Sequence, residues 1–407
     1  MMPFFNALCQ ALLLLYVLCS ACAPQQQGPQ VITRPTDTTR PATQTATPEV
    51  RGVWLTLAGS TVFDSRQNIA TAMRILKEHG FNTVFPVVWA RGYTLWRSQR
   101  MEREFGMPIG AQFGSRDVLR ETIEEARLQG LAVIPWFEYG FATFNSALGT
   151  PPGAILAKYP QWACIGRDGQ IVVKNGFYWM NALDSTVQNF MTDLIMEVVN
   201  NYDIDGIQGD DRMPAMPSEG GYDSATVTRY RRETGRAAPQ DFKDSAWVAW
   251  RANKLTEWLA RLRQTVKARK SSLIFAMSPS PFPFGQVEYL QDSPTWMQRG
   301  LVDLLSTQLY RRDLPSYQTL LVQLQSQMPI SARRKMAPGV LGRADPFIAS
   351  AQLLSDCITA NRTAGMIGSA IFYYEALTPN NNENARALRQ GVYRLDAAFP
   401  RDSLLRP

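Results

Sequence analysis

From residue 49 onward, short apolar runs rich in β-branched and aromatic side chains alternate with longer stretches whose apolar residues recur at helical spacing. The runs predict strands over residues 51–57, 83–89, 132–139, 206–210, 273–278, 304–310, 335–340 and 369–374. Between them, helical periodicity predicts helices that include 67–78, 116–129, 186–201, 247–270 and 349–363. Strand–helix alternation on this scale predicts an α/β chain with a parallel sheet. About 350 residues in eight units suit a single (β/α)8 TIM barrel with enlarged βα loops. An open doubly wound sheet is the rival. Polar and aromatic residues collect at the C-terminal ends of nearly all the runs, and only a closed ring would bring them to one mouth. The stretch 143–181 reads as a large loop after the third strand, and no internal repeat or second linker divides the domain.

The first 48 residues fall outside this pattern. The apolar run 11–19 is too short to cross a hydrocarbon layer of roughly 30 Å but fits the core of an export signal. It ends in Cys19-Ser20-Ala21-Cys22, which resembles a bacterial lipobox, so 1–21 is read as a lipoprotein signal peptide and Cys22 as the lipidation site. An ordinary cleaved secretory signal is the alternative. Residues 22–48 mix Pro, Gln and Thr with almost no aliphatic side chains, the composition of a disordered tether. The barrel is assigned to 49–400 and a C-terminal tail to 401–407. The expectation is a monomer in the cell envelope, lipid-anchored through Cys22 to the membrane and facing the periplasm or the exterior.

Charge changes this picture little: 42 Lys and Arg against 35 Asp and Glu give +7, spread along the chain without a dense run. A solvated surface is the default, and no nucleic-acid partner is expected. Two of the five cysteines, Cys164 and Cys357, lie in the barrel region and allow at most one disulfide. The single histidine, His79, stands before Gly80 at the end of a predicted helix, where it suits the negative end of the dipole. One imidazole excludes a histidine-based triad, a multi-histidine zinc site and a Cys-His dyad. No Gly-x-Gly-x-x-Gly or Walker-type loop supports nucleotide chemistry. With no cofactor and no metal expected, carboxylate chemistry is what remains.

Cleaving a glycosidic bond takes a proton donor and a second carboxylate that attacks or activates water, facing each other across a cleft. Three strand ends supply acids: Glu138 at the third, Asp210-Asp211 followed by Arg212 at the fourth, and Glu375 at the eighth. Alternate strand residues share a face, so Gln208 and Asp210 point together and Asp210 is the first choice for the attacking or charge-stabilising carboxylate. Arg212 beside the pair is expected to lower their pKa values. Paired aspartates can instead cap a helix or, with Asp205, hold a hard cation. Glu138 and Glu375 compete as proton donor, Glu138 being preferred for its apolar neighbours Trp136, Phe137, Tyr139 and Phe141. Flat aromatic faces and hydrogen-bonding side chains complete a sugar site, and Arg51, Trp54, Trp89, Trp136, Gln208, Arg212, Gln308 and Tyr310 are the substrate-binding candidates. For the tryptophans, plain core packing is the competing role.

The segments Glu49-Val50-Arg51-Gly52-Val53-Trp54-Leu55-Thr56, Asp205-Gly206-Ile207 with Asp210-Asp211, Gln308-Leu309-Tyr310 and Tyr374-Glu375-Ala376-Leu377 together resemble the bacterial glycosyl-hydrolase-like family 10 lipoproteins. The resemblance implies a TIM-barrel glycoside hydrolase, and the family includes envelope enzymes that act on peptidoglycan strands stripped of stem peptides. It carries Asp210, Asp211 and Glu375 over as active-site positions, whereas Glu138 rests on its own surroundings. This chain departs from the family where a histidine and aromatic residues usually flank the paired aspartates, having Gln208-Gly209 before them and Arg212-Met213-Pro214 after. The third strand has Phe137-Glu138-Tyr139 where Asn and Pro are expected. A non-catalytic glycan-binding lipoprotein is the alternative function, and a chitinase-type mechanism is disfavoured because its acid would fall at Arg212.

Overall fold

The computed structural model describes residues 47–406; the expected signal peptide, Cys22 and the expected tether as far as residue 46 lie outside the described residues. Eight strands carry the fold: β1 (Val50–Leu55), β2 (Thr83–Pro86), β3 (Ala132–Val133), β4 (Gly206–Gly209), β5 (Ile274–Met277), β6 (Leu304–Leu305), β7 (Gly339–Leu341) and β8 (Gly368–Phe372). All pair in parallel, in the order β7-β8-β1-β2-β3 in one sheet and β6-β5-β4 in a second. Isolated parallel bridges join the sheets at both seams, Trp136 to Gln208 on one side, Leu305 to Met336 and Gln308 to Gly339 on the other. Every residue of β1 to β7 is buried, which is why these runs read as continuously apolar rather than alternating.

A helix follows each strand: α1 (Arg66–Glu78), α2 (Val118–Leu128), α3 (Ser185–Asn201), α4 (Ser245–Arg269), α5 (Ser293–Gln298), α6 (Leu314–Gln327), α7 (Ala351–Thr363) and α8 (Pro379–Gln390). The first seven open on a Ser or Asp whose side chain accepts a hydrogen bond from a backbone N–H of the first turn: Ser65, Asp117, Asp184, Asp244, Asp292, Asp313 and Ser350. Five aspartates are thereby committed to helix starts and drop out of the search for chemistry. His79 caps the end of α1, its Nδ1 lying 2.7 Å from the Ile75 carbonyl, and Gly80 follows at φ +84°, as the sequence predicts.

The predicted helices agree with the structure to within two residues at each end, but several strands are shorter than predicted. Pro135 has no N–H to give, so regular pairing stops before it and resumes only as single bridges at Trp136; Pro338 likewise delays β7, which begins at Gly339 and meets β6 only through single bridges. The stretch 143–181 is not one irregular loop. It contributes to a three-stranded antiparallel sheet of Ala142–Asn145, Phe177–Trp179 and Val173–Lys174, with a short helix Ala154–Lys158 between. Residues 401–405, set apart as part of a tail, form a helix whose Leu404 is buried. Cys164 and Cys357 are both buried free thiols.

The N-terminal ends of the strands are stitched by charge. Asp205 accepts from Arg127 at 2.8 Å and from the Val133 N–H at 2.7 Å, and pairs with Arg401. Asp303 takes Lys267 at 2.6 Å, Arg263 at 3.1 Å and the Phe275 N–H at 3.0 Å. Arg51 belongs to this end: it is buried, paired with Glu49 at 2.5 Å, bonded to the Leu395 carbonyl at 2.8 Å and stacked 4.4 Å from the Tyr393 ring.

Candidate active site

At the opposite, C-terminal ends, β4 runs out into Asp210-Asp211-Arg212. Alternation along the strand aims Gln208 and Asp210 into the interior. Gln208 Oε1 accepts from Trp54 Nε1 at 2.8 Å. Asp210 is 2% exposed; its Oδ1 accepts from Gln308 Nε2 at 2.8 Å, and its backbone carbonyl accepts from Gln291 Nε2 at 3.0 Å. Arg212 then turns its guanidinium back over the strand end. Nη2 lies 3.1 Å from Asp210 Oδ2 and 3.5 Å from Glu138 Oε1, Nη1 lies 3.3 Å from Asp211 Oδ1, and Nε donates to the Glu138 carbonyl at 2.9 Å. Tyr139 and Phe177 flank it, with ring centroids 5.4 and 4.9 Å from the guanidinium carbon.

Three carboxylates from two strand ends therefore meet one cation. Gly140 makes the approach possible: at φ +49° it lies so close that a Cβ there would sit 2.1 Å from the Arg212 carbonyl oxygen. The Phe141 N–H donates to that same carbonyl at 2.9 Å, knitting the two loops together.

The electrostatics follow from crowding. Burial, then the neighbouring Asp211 carboxylate, hold Asp210 well above the ordinary aspartate range, and Arg212 pulling the other way does not offset them. Arg212 lowers Asp210 as the sequence predicts, but the net shift is upward because two neighbouring acids and a dry strand end outweigh one guanidinium. Burial also raises Glu138, with Arg212 opposing and Asp211 adding. Arg212 itself, though burial disfavours its charge, is held above its usual value by Asp211, Asp210 and Glu138. Tyr139 is pushed up to about 12 by burial and by Glu138.

The other sequence candidates divide. Gln308 and Tyr310 reach the site, and Tyr310 stacks on Phe372 at 4.8 Å and 22°. Trp54 and Trp136 fill the space between the strands, 6.4 Å apart and each against Phe372, and both are at most 2% exposed. Trp89 is wholly buried against Phe190, its N–H given to the Gly140 carbonyl. These three indoles present no face to a sugar and act as core. Arg51 and Asp205 lie at the other end of the strands and do not join the cluster, which dissolves the three-aspartate cation set. Glu375 has different neighbours: burial raises it to about 7, with Ser60 and Arg343 opposing, and its Oε2 is buried without a hydrogen-bond partner.

Several contributors escaped sequence reasoning. Gln291, a buried side chain from the β5–β6 connection, ties Asp210 and Pro214 in place and gives no local signal. Arg91, in the left-handed region at φ +55°, sets its charge near Tyr93, Tyr139 and Glu138 and opposes the burial that raises all three. Phe177 arrives from the antiparallel insertion that the sequence presents as loop.

The family model described as Glycosyl hydrolase-like 10 matches residues 49–338. Among curated proteins, glycosyl hydrolase DigH of Escherichia coli K12 is 26% identical over 349 residues, 75% of this chain and 74% of its own length. Glycosyl hydrolase YngK of Bacillus subtilis is 23% identical over 304 residues, 64% of this chain and 54% of its own. Among solved structures, the glycoside hydrolase domain of PgaB from Bordetella bronchiseptica superposes with TM-score 0.60 at 13% identity, covering 84% of this chain and 98% of that one. The catalytic domain of a β-amylase from Paenibacillus polymyxa gives 0.61 at 12%, covering 86% and 99%. Those likenesses show a shared fold of the TIM-barrel type.

Proposed function

The chain belongs to the glycosyl hydrolase-like 10 family, and from that premise we propose that it hydrolyses glycosidic bonds of a cell-envelope polysaccharide, peptidoglycan glycan strands foremost. In this reading the eight strands form a closed (β/α)8 ring and the chain works as a monomer. Acylation at Cys22 holds it at the membrane with the mouth toward the periplasm or exterior. The observation that carries the reading is the convergence of Asp210, Asp211 and Glu138 on Arg212 at one strand-end mouth.

The division of labour follows from burial. Asp210, raised well above its usual range, keeps the proton and donates it to the leaving oxygen. Asp211, with 27% of its side chain exposed, is the acid of the pair a saccharide reaches most easily and supplies the carboxylate. Glu138, across the same guanidinium, is the second candidate for either part. Because Asp210 and Glu138 share one nitrogen, their facing oxygens are at most about 6.6 Å apart, a ceiling that takes in the ~5 Å of retaining enzymes and the lower edge of the ~6.5–9.5 Å inverting range. Phe177 and the Tyr310–Phe372 stack, each half-buried, provide the apolar faces against which a pyranose packs.

The test is release of new reducing ends from purified sacculi, from peptide-stripped glycan strands and from a panel of neutral polysaccharides. Asp210→Asn and Asp211→Asn are each expected to abolish cutting. Absence of any product, or cutting that survives both substitutions, overturns the assignment. A non-catalytic glycan-binding role is favoured by one observation, the engagement of all three acids by Arg212. It predicts sacculus binding without product, lost with Phe177→Ala or Tyr310→Ala but kept with Asp211→Asn.

A further inference from the structure

A second feature lies at the far end of the strands. A cavity of about 1110 Å³ opens beside the N-terminal edge of β1, and Thr47 and Pro48 form part of its wall. Its lining is strongly basic. Arg334, Arg394 and Arg406 are exposed and Lys335 is half-buried, and among the described residues none of the four makes an ion pair. Two further cations, Arg51 and Arg362, line the same cavity, but both are bound to Glu49, the one carboxylate in the lining. Among the described residues, four positive charges outside any ion pair thus surround the point where the chain from residue 46 enters the folded body. That preceding stretch adds no compensation, since 23–46 contains Arg34 and Arg40 against Asp37 alone. Like charges gathered in one concavity repel, and the arrangement is relieved by an anion.

We propose that this basic cavity docks the phosphate headgroups of an anionic phospholipid surface, so that the strand-ring body rests on a membrane by its N-terminal end. Guanidinium groups suit phosphate because their paired N–H groups match two of its oxygens. Phosphate rather than a neutral headgroup is required, because the cations of the lining that lack an ion-pair partner are offset only by an anion. The inference is independent of glycan cleavage, and its test contains no glycan.

The test is vesicle flotation of the full chain carrying Cys22→Ala, which removes the acylation site. Vesicles of phosphatidylcholine alone report whatever the apolar leader binds, and vesicles of equal parts phosphatidylcholine and phosphatidylglycerol report the charge-dependent part. Binding to the anionic vesicles is expected to exceed the neutral baseline and to weaken as salt rises. Combining Arg334→Gln, Arg394→Gln and Arg406→Gln should weaken the anionic component on the order of a hundredfold, with the thermal midpoint unchanged. Should the triple variant fail to fold, each single substitution is expected to cost roughly fivefold. Equal binding to both vesicle types, or anionic binding that survives the substitutions, overturns the proposal. So does a midpoint raised by inorganic phosphate in a protein that ignores both vesicles.

Discussion

Arg212 is where the chemistry of the site is decided. It is the one cation in ion-pair contact with all three acids, and it lowers the proton affinity of Asp210 and Glu138 against a larger upward effect of burial. Arg212→Met removes the lowering influence, so both acids should hold their protons to higher pH. The alkaline limb of the kcat/KM profile is expected to move upward while kcat falls roughly 10–100-fold, as a pH–rate series would show. Arg212→Lys should not rescue the rate, because a single ammonium cannot span three carboxylates that a planar fork reaches from separate nitrogens. Glu375 poses a different question. Raised to about 7 in the folded chain, it favours folding fully only below the ordinary glutamate value, and that contribution is lost as pH rises toward 7. Glu375→Gln should match the parent near pH 4 and exceed its unfolding free energy by on the order of 2 kcal/mol at pH 8, measured by denaturant titration at both. Equal stability at the two pH values would remove the burial argument for this residue.

At the level of strands, helices and loops, the sequence was legible where one periodicity ran long enough to dominate. The helices are read correctly because an apolar stripe of helical period is closed by Ser or Asp caps that the chain states outright. The strand ends are not, because pairing there depends on which partner carbonyl lies opposite a proline. Nor does the 142–179 insertion announce its antiparallel sheet, whose strands are two to four residues long. The loop contact between β3 and β4 yields a sharp prediction. Gly140→Ala must relieve both a positive φ and a clash with the Arg212 backbone. A stability loss of roughly 2–4 kcal/mol is expected, together with loss of activity from a displaced guanidinium. At the opposite rim, Asp303→Ala strands Lys267, Arg263 and the Phe275 amide, so thermal unfolding should register a comparable loss of about 2–4 kcal/mol. Turnover of the surviving folded protein should be unchanged.

Across the whole molecule, the two ends of the parallel strands carry clusters of opposite charge, and that division was only half visible in the sequence. Carboxylates at strand C-termini could be picked out, since parallel strands bring those ends to one side. Which of them converge could not, because Glu138 and Asp210 meet through an arginine while Glu375 faces Ser60 and Arg343. The tryptophans were ambiguous for a physical reason: Trp54 satisfies its N–H with Gln208, so two candidates for sugar contact answer each other inside the core. The basic cavity was invisible, because Arg334, Arg394 and Arg406 are neighbours only after folding. The segment ahead of residue 47 joins the body beside that cavity, on the side away from Asp210. Any bead, resin or surface coupled through the amino-terminal stretch will therefore grip the molecule from behind, leaving the acids facing free solution and able to meet a polymer too large to diffuse.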